Sequence, residues 1–304
     1  MKPSIKLCLL SLCLFLASPC LTADDSAPIP SDTVQYLVAN ATVCPVREDP
    51  SYAAEQATQL LFGEVCEFLE RHRGWTKIRS TVDGQVGWVS SSMLTPTDNP
   101  YPITDTRTAV VAHPIATATP INGGAPLLLT MGTRLPNYSH GTFEVLGQQY
   151  LIDPTCVNNT TQLLNSDLSR AELLNNVCAT AQTLLNTPYL WGGKNAMGLD
   201  CSGFTQVVYA AVGVNLLRNA REQITQGEEV KLLSEALPGD LAFFGYTNSE
   251  TQAIKITHVG LLLSPTEIIH CAGGRVHIDR IDADGIYLSD GTKTHDLIQI
   301  KRYL

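Results

Sequence analysis

Cys201 opens the stretch Asp200-Cys201-Ser202-Gly203-Phe204, and two histidines, His258 and His270, follow on apolar, β-like runs. A thiol nucleophile needs a base to take its proton and a third polar group to hold that base in the right tautomer. The ordered Cys201, His258 and His270 supply one residue for each task, the pattern of a cysteine hydrolase. The run from Cys201 to Val212 is helix-like and ends at Gly213, so Cys201 falls at a helix N-terminus. There the helix dipole and free N–H groups favour a thiolate and lower the pKa. Gly198 and Gly203 permit close backbone approach around it, as a substrate carbonyl would require. Alternation along Ile256–Leu263 puts Ile256, His258 and Gly260 on one face. His270 comes 12 residues after His258, with a turn at Ser264-Pro265-Thr266, a spacing that makes the two neighbours on a hairpin. His270 can then fix the tautomer of His258. His72, His113, His140, His277 and His295 have no such context and read as surface or structural residues.

The elements that must position this set divide the chain. Within residues 166–304, Ser169 and Glu172 form a capping box, and Leu173, Leu174, Val177, Ala181, Leu184 and Leu185 mark one helical face up to Pro188. The Cys201 helix follows, then strand-like runs at Leu241–Phe244, Ile256–Leu263, Glu267–His270, Arg275–Ile278 and Leu297–Lys301. Helices followed by consecutive strands predict an α+β domain with a mostly antiparallel sheet. Upstream, residues 31–96 alternate over short runs separated by Arg73-Gly74 and Asp83-Gly84 turn signals, which predicts a small β-barrel. Its Leu61-Phe62-Gly63-Glu64, Gly74-Trp75 and Gly87-Trp88-Val89 resemble a bacterial SH3-like domain. A hinge rich in proline and asparagine, Thr95 to Pro102, leads to residues 101–155, where further short runs read as a second SH3-like barrel that lacks the Gly-Trp signature.

With 44% hydrophobic and 16% charged residues, the 304-residue chain has the composition of a globular protein of two or three domains. Lys2, Lys6 and the apolar run Leu7–Ala17 form a secretory signal peptide over residues 1–23, too short for a transmembrane span. Pro19 argues against lipid attachment at the adjacent Cys20. The reading is therefore an exported protein of the periplasm or cell envelope. Loss of Lys2 and Lys6 on cleavage takes the net charge from −9 to −11. An acidic chain with no basic cluster does not suit nucleic acid. Six cysteines lie beyond the leader, none in a CxxC pair, so neither a zinc site nor a redox motif is indicated and no cofactor is expected. Cys44 and Cys66 share one predicted β-domain and could bridge, whereas Cys201 must stay reduced to act.

Thr187-Pro188-Tyr189-Leu190-Trp191-Gly192-Gly193, Leu199-Asp200-Cys201-Ser202-Gly203-Phe204, Leu237-Pro238-Gly239-Asp240-Leu241, Thr257-His258-Val259-Gly260 and Ile269-His270 resemble the NlpC-type papain-like cysteine peptidases. With two SH3-like domains ahead, the architecture is similar to that of γ-D-glutamyl-L-diamino-acid endopeptidases. The resemblance implies hydrolysis of peptidoglycan stem peptides such as L-Ala-γ-D-Glu-diaminopimelate. Cys201 would be nucleophile, His258 base, His270 its orienter, and Tyr189 a donor to the oxyanion. It further implies that Asp200 and Ser202 contact the L-Ala-D-Glu portion and that Asp200 and Glu64 take the free N-terminal amine. Gln85 and Arg221 depart from the family pattern near the substrate. Two other readings are a hydrolase of longer or cross-linked stems and a wall-binding protein that uses its SH3-like modules without catalysis.

Overall fold

The computed structural model describes residues 35–98, 109–160 and 170–304. The leader expected over residues 1–23, the second half of the hinge (99–102), and Ser169 of the capping box lie outside the described residues. Among the described residues no helix is long and apolar enough to cross a membrane.

The first β unit, Tyr36 to Thr97, is one seven-stranded antiparallel sheet. Its core holds Leu37, Cys44, Leu60, Cys66, Ile78 and Val89. Cys44 and Cys66 remain free thiols, each donating to backbone carbonyls, so the bridge that sequence allowed is not made. The second unit differs from a single barrel. It consists of a four-stranded and a three-stranded antiparallel sheet, whose apolar residues join Val38, Phe62 and Val65 of the first unit in a shared core.

Among the described residues the C-terminal domain has three α-helices, α1 (Arg170–Gln182), α2 (Cys201–Ala210) and α3 (Ala220–Gln223). They accompany a seven-stranded antiparallel sheet of β1 (Glu228–Val230), β2 (Leu241–Thr247), β3 (Ile254–Ser264), β4 (Glu267–Ala272), β5 (Arg275–Asp282), β6 (Gly285–Tyr287) and β7 (Lys293–Arg302). The sheet order is β1-β7-β2-β3-β4-β5-β6, with β6 also paired to β7. On α1 the buried residues are Leu174, Val177 and Ala181, with Leu184 just beyond; Leu185, expected on the same face, is exposed. On α2, Phe204, Val207, Val208 and the following Ala211 recur at helical spacing and are buried. Each large side chain in that stripe contributes about 1.5–3 kcal/mol of burial, which seats α2 across β3 and β4.

Two close approaches fix that seating. A Cβ on Gly203 would come within 2.0 Å of the Gly193 carbonyl oxygen, so only glycine lets the first turn of α2 lie against the Gly192-Gly193 loop. A Cβ on Gly260 would come within 2.9 Å of His270 Cβ and 2.7 Å of Ile268 Cδ1. Glycine at 260 therefore makes the room in which the His270 ring stands.

Candidate active site

Cys201 is the first residue of α2, and the backbone N–H groups of Ser202 and of Val259, the residue after His258, lie near enough to its sulfur to favour the thiolate. That second contact brings the helix start against β3. Across the β3–β4 hairpin, His258 Nε2 lies 2.8 Å from His270 Nδ1, and both rings are buried. His270 Nε2 is 3.2 Å from Asp279 Oδ2 on β5.

This chain of contacts sets the protons. Hydrogen bonds from His270 and His277 hold the Asp279 carboxyl below the usual carboxylate range, so it is an ionised acceptor. His270 Nε2 must then carry the hydrogen, and its Nδ1 is left as an acceptor. His258 Nε2–H donates to that atom, which leaves Nδ1 as the one lone pair of His258. Asp279 thus selects the tautomer of His258 through His270, and Nδ1 is the His258 atom with a lone pair to accept a proton.

Burial, with smaller contributions from His270, His295 and His277, pushes the His258 pKa well below 6.5. Burial also lowers His270, partly offset by Asp279. Burial and the Asp200 carboxylate push the Cys201 thiol up to about 12, against the Val259 and Ser202 N–H groups and Arg218. The helix start alone had pointed to a depressed value; desolvation outweighs it. These directions favour a neutral thiol and a neutral imidazole at rest. Two outcomes follow for the pH profile of kcat/KM on a substrate that does not titrate in this range. The acid limb, set by protonation of His258, should lie well below pH 6.5, and activity should stay level from pH 6.5 to 8. An acid limb centred at or above pH 6.5 would contradict the burial argument.

Asp279→Asn removes the acceptor that fixes His270. We expect kcat to fall about 10- to 100-fold, since mis-set tautomers leave a base that cannot accept. Steady-state kinetics on the folded variant checks this.

Cys201 and His258 line a cleft of about 740 Å³. Tyr189, Asp200, Ser202, Arg221 and His295 share it, and Glu48, Glu55, Ala57 and Gln85 of the first β unit form its other wall. Tyr189 is half-buried, and burial with the nearby Cys201 pushes its hydroxyl up to about 12, so it remains a donor. His295, read from sequence as peripheral, lies 4.4 Å from His258 ring to ring. Gln85 donates to Glu222 at 3.1 Å.

The two carboxylates expected to take an amine are placed differently. Asp200 caps α2, accepting Gly203 N–H at 2.7 Å, and receives the Gly192 N–H at 3.0 Å. Both its oxygens also bind the guanidinium of fully buried Arg218, at 3.0 and 2.5 Å. Arg218 holds Ser202 Oγ at 2.9 Å as well. Asp200 therefore faces the cleft with its charge already matched. Glu64 does not line the cleft: it is buried beside Lys194, whose Nζ reaches both carboxylate oxygens at 3.0 and 3.1 Å. The Glu64–Lys194 pair and the bond from Arg218 Nε to Thr58 Oγ1 (2.7 Å) tie the first β unit to the catalytic domain. The carboxylates that this unit does present to the cleft are Glu48 and Glu55. Neither Arg218 nor Lys194 drew notice in the sequence, because a lone basic residue carries no pattern until its partner is in place.

Residues 186–292 match the NlpC/P60 family, and residues 46–94 match the bacterial dipeptidyl-peptidase SH3 domain. Residues 186–292 form an NlpC/P60 domain. It is 28% identical over 225 residues to the γ-D-glutamyl-L-lysine dipeptidyl-peptidase of Bacillus subtilis, covering 70% of this chain and 71% of that one. It is 34% identical over 128 residues to the probable endopeptidase p60 of Listeria grayi, of which it spans only 22%. The crystal structure of an NlpC/P60 family protein from Bacillus cereus superposes with a TM-score of 0.71 at 20% identity, covering 88% of this chain and 99% of that one. That likeness extends the shared fold beyond the NlpC/P60 domain to both β units. The SH3 match stops at residue 94, short of the second unit.

Proposed function

We propose that this NlpC/P60 protein is an exported cysteine endopeptidase that cuts the bond between γ-D-glutamate and the diamino acid of peptidoglycan stem peptides. The observation that carries the reading is the line from Asp279 through His270 to His258, which leaves one imidazole lone pair in the cleft that holds Cys201. The relationship to the Bacillus subtilis enzyme, extending through the SH3 region, supports the bond type.

In this mechanism the Cys201 sulfur attacks the γ-carbonyl of D-glutamate while His258 Nδ1 takes the thiol proton. The tetrahedral oxyanion accepts hydrogen bonds from the Cys201 backbone N–H and the Tyr189 hydroxyl. His258 then gives its proton to the departing amine of the diamino acid. Water, deprotonated by His258, hydrolyses the thioester and restores the thiol. Ser202, held by Arg218, and Asp200 contact the L-Ala-D-Glu portion. The free amine of L-Ala lies toward the wall that carries Glu48 and Glu55, whose charges are not consumed by a buried cation as those of Asp200 and Glu64 are. This wall would confine the enzyme to peptides with a free N-terminus.

Competition between a free-amine tripeptide and its N-acetylated form tests the specificity. The free peptide should be preferred by about 10- to 100-fold in kcat/KM, the worth of a charged hydrogen bond of about 1.5–3 kcal/mol. Glu55→Gln should narrow the ratio, mainly through KM for the free peptide. Equal cleavage of both peptides would remove the amine-recognition role while leaving the hydrolase intact.

A further inference from the structure

Behind the cleft, the face of β5 that carries His277 and Asp279 lies beside His270 on β4. His270 and His277 stand directly opposite in the antiparallel register, and Asp279 follows two residues on, so all three side chains share one face. His270 Nε2 and His277 Nε2 each lie 3.2 Å from Asp279 Oδ2, and the three donor atoms fall within 4.8 Å of one another. Ligand atoms about 2.0–2.2 Å from a tetrahedral zinc ion stand about 3.3–3.6 Å apart, close to the two 3.2 Å separations, so only the His270–His277 separation has to close by side-chain rotation. His277 Nδ1 is 2.9 Å from the Arg275 carbonyl oxygen, which can only accept. With Nδ1 turned to that carbonyl, Nε2 is the ring atom that His277 offers to an ion beside Asp279 Oδ2. The backbone carbonyl behind His277 is also the kind of partner that orients metal-bound imidazoles. His277 and Asp279 are partly exposed, with side-chain accessibilities of 24% and 13%, so an ion can enter without passing through the cleft.

From this geometry we infer that His270, His277 and Asp279 form a site for a divalent transition ion of the zinc type, and that filling it switches Cys201 off. The inference of control rests on the catalytic reading above; the inference of binding does not. In the metal-free relay His270 carries its hydrogen on Nε2 and His258 on Nε2. An ion at His270 Nε2 needs that lone pair, so the hydrogen of His270 resides on Nδ1 and donates to His258 Nε2. The hydrogen of His258 then sits on Nδ1. The two rings hold two protons before and after, and none is gained or lost between them. What changes is that the nitrogen meant to accept the Cys201 proton already carries one. The metal thus inhibits through the tautomer of the base, without touching the thiol.

The test uses the mature chain freed of metal, with Zn2+ as ligand and Co2+ as optical probe. In Cys201→Ala, which lacks the reactive thiol, calorimetry should give one Zn2+ per chain. Co2+ should give d–d bands with no thiolate charge-transfer band. His277→Gln in the same background should weaken binding about 10- to 100-fold. In the active enzyme, His277→Gln, measured against its own metal-free kcat/KM, should resist Zn2+ at concentrations that silence the parent. Imidazole 15N shifts should report the Nε2-to-Nδ1 change on zinc addition. Absence of Zn2+ binding by Cys201→Ala, or binding unaffected by His277→Gln, would overturn the site. Equal inhibition of the parent and His277→Gln would overturn the control. His277-dependent binding by a protein that cleaves no stem peptide would uphold the site and reject the peptidase reading, so the two fail separately.

Discussion

Cys201→Ala is expected to abolish hydrolysis of a stem-peptide substrate, lowering kcat by on the order of 10⁴-fold or more while the protein remains folded. The size follows from the division of labour in the cleft. His258 supplies a lone pair and Tyr189 a hydroxyl, but neither can replace the sulfur that forms the acyl intermediate. Alanine suits the first turn of a helix, and the cap from Asp200 to the Gly203 N–H does not involve the thiol. The unfolding midpoint should therefore stay near that of the parent while activity vanishes. Rates from stopped-time assays, with circular dichroism on the same samples, separate loss of chemistry from loss of fold. A variant that retained more than about 1% of the activity would place the reacting group elsewhere.

The second large effect concerns Arg218. Its guanidinium is 1% exposed and neutralises Asp200 while binding Ser202 and Thr58. Arg218→Met keeps much of the volume but strands the Asp200 carboxylate in a buried setting. Breaking one side of a buried pair costs about 3–5 kcal/mol, far more than an exposed pair would. We expect denaturant unfolding of Arg218→Met to show that loss. Asp200→Asn combined with Arg218→Met should lose less than the sum of the two single changes, because the stranded charge is gone. Some loss remains, since Asp200 also caps α2 and accepts from Gly192. An Arg218→Met protein as stable as the parent would mean that the ion pair contributes nothing net.

Local pattern carried much of this site and stopped at a definite point. Strand alternation and a 12-residue separation were enough to set His258 and His270 together, because a hairpin translates sequence distance into cross-strand contact, and the rings meet at 2.8 Å. The next member of the relay, Asp279, lies on a third strand, and His277 and His295 were read as peripheral for the same reason. Their relation to His270 and His258 depends on the register of β5 and the return of β7, which alternation within one strand does not determine. The Cys201 pKa shows a second limit. A helix start is visible in the residue order, whereas the burial that outweighs it comes from α2 lying across β3 and β4. The carboxylates show a third: Glu64 and Asp200 are each met by a buried cation more than ten positions away in the chain. The α+β order of the C-terminal domain was legible because each element carries its own period. The division of the second β unit into two sheets was not, since short runs without the Gly-Trp signature fit either arrangement.

The central claim is the bond that Cys201 attacks. Incubation of the purified protein with L-Ala-γ-D-Glu-meso-diaminopimelate, followed by mass spectrometry, tests it most directly. The account predicts free diaminopimelate and the dipeptide L-Ala-D-Glu from the parent and neither from Cys201→Ala; an intact tripeptide, or release of alanine in place of diaminopimelate, would contradict it.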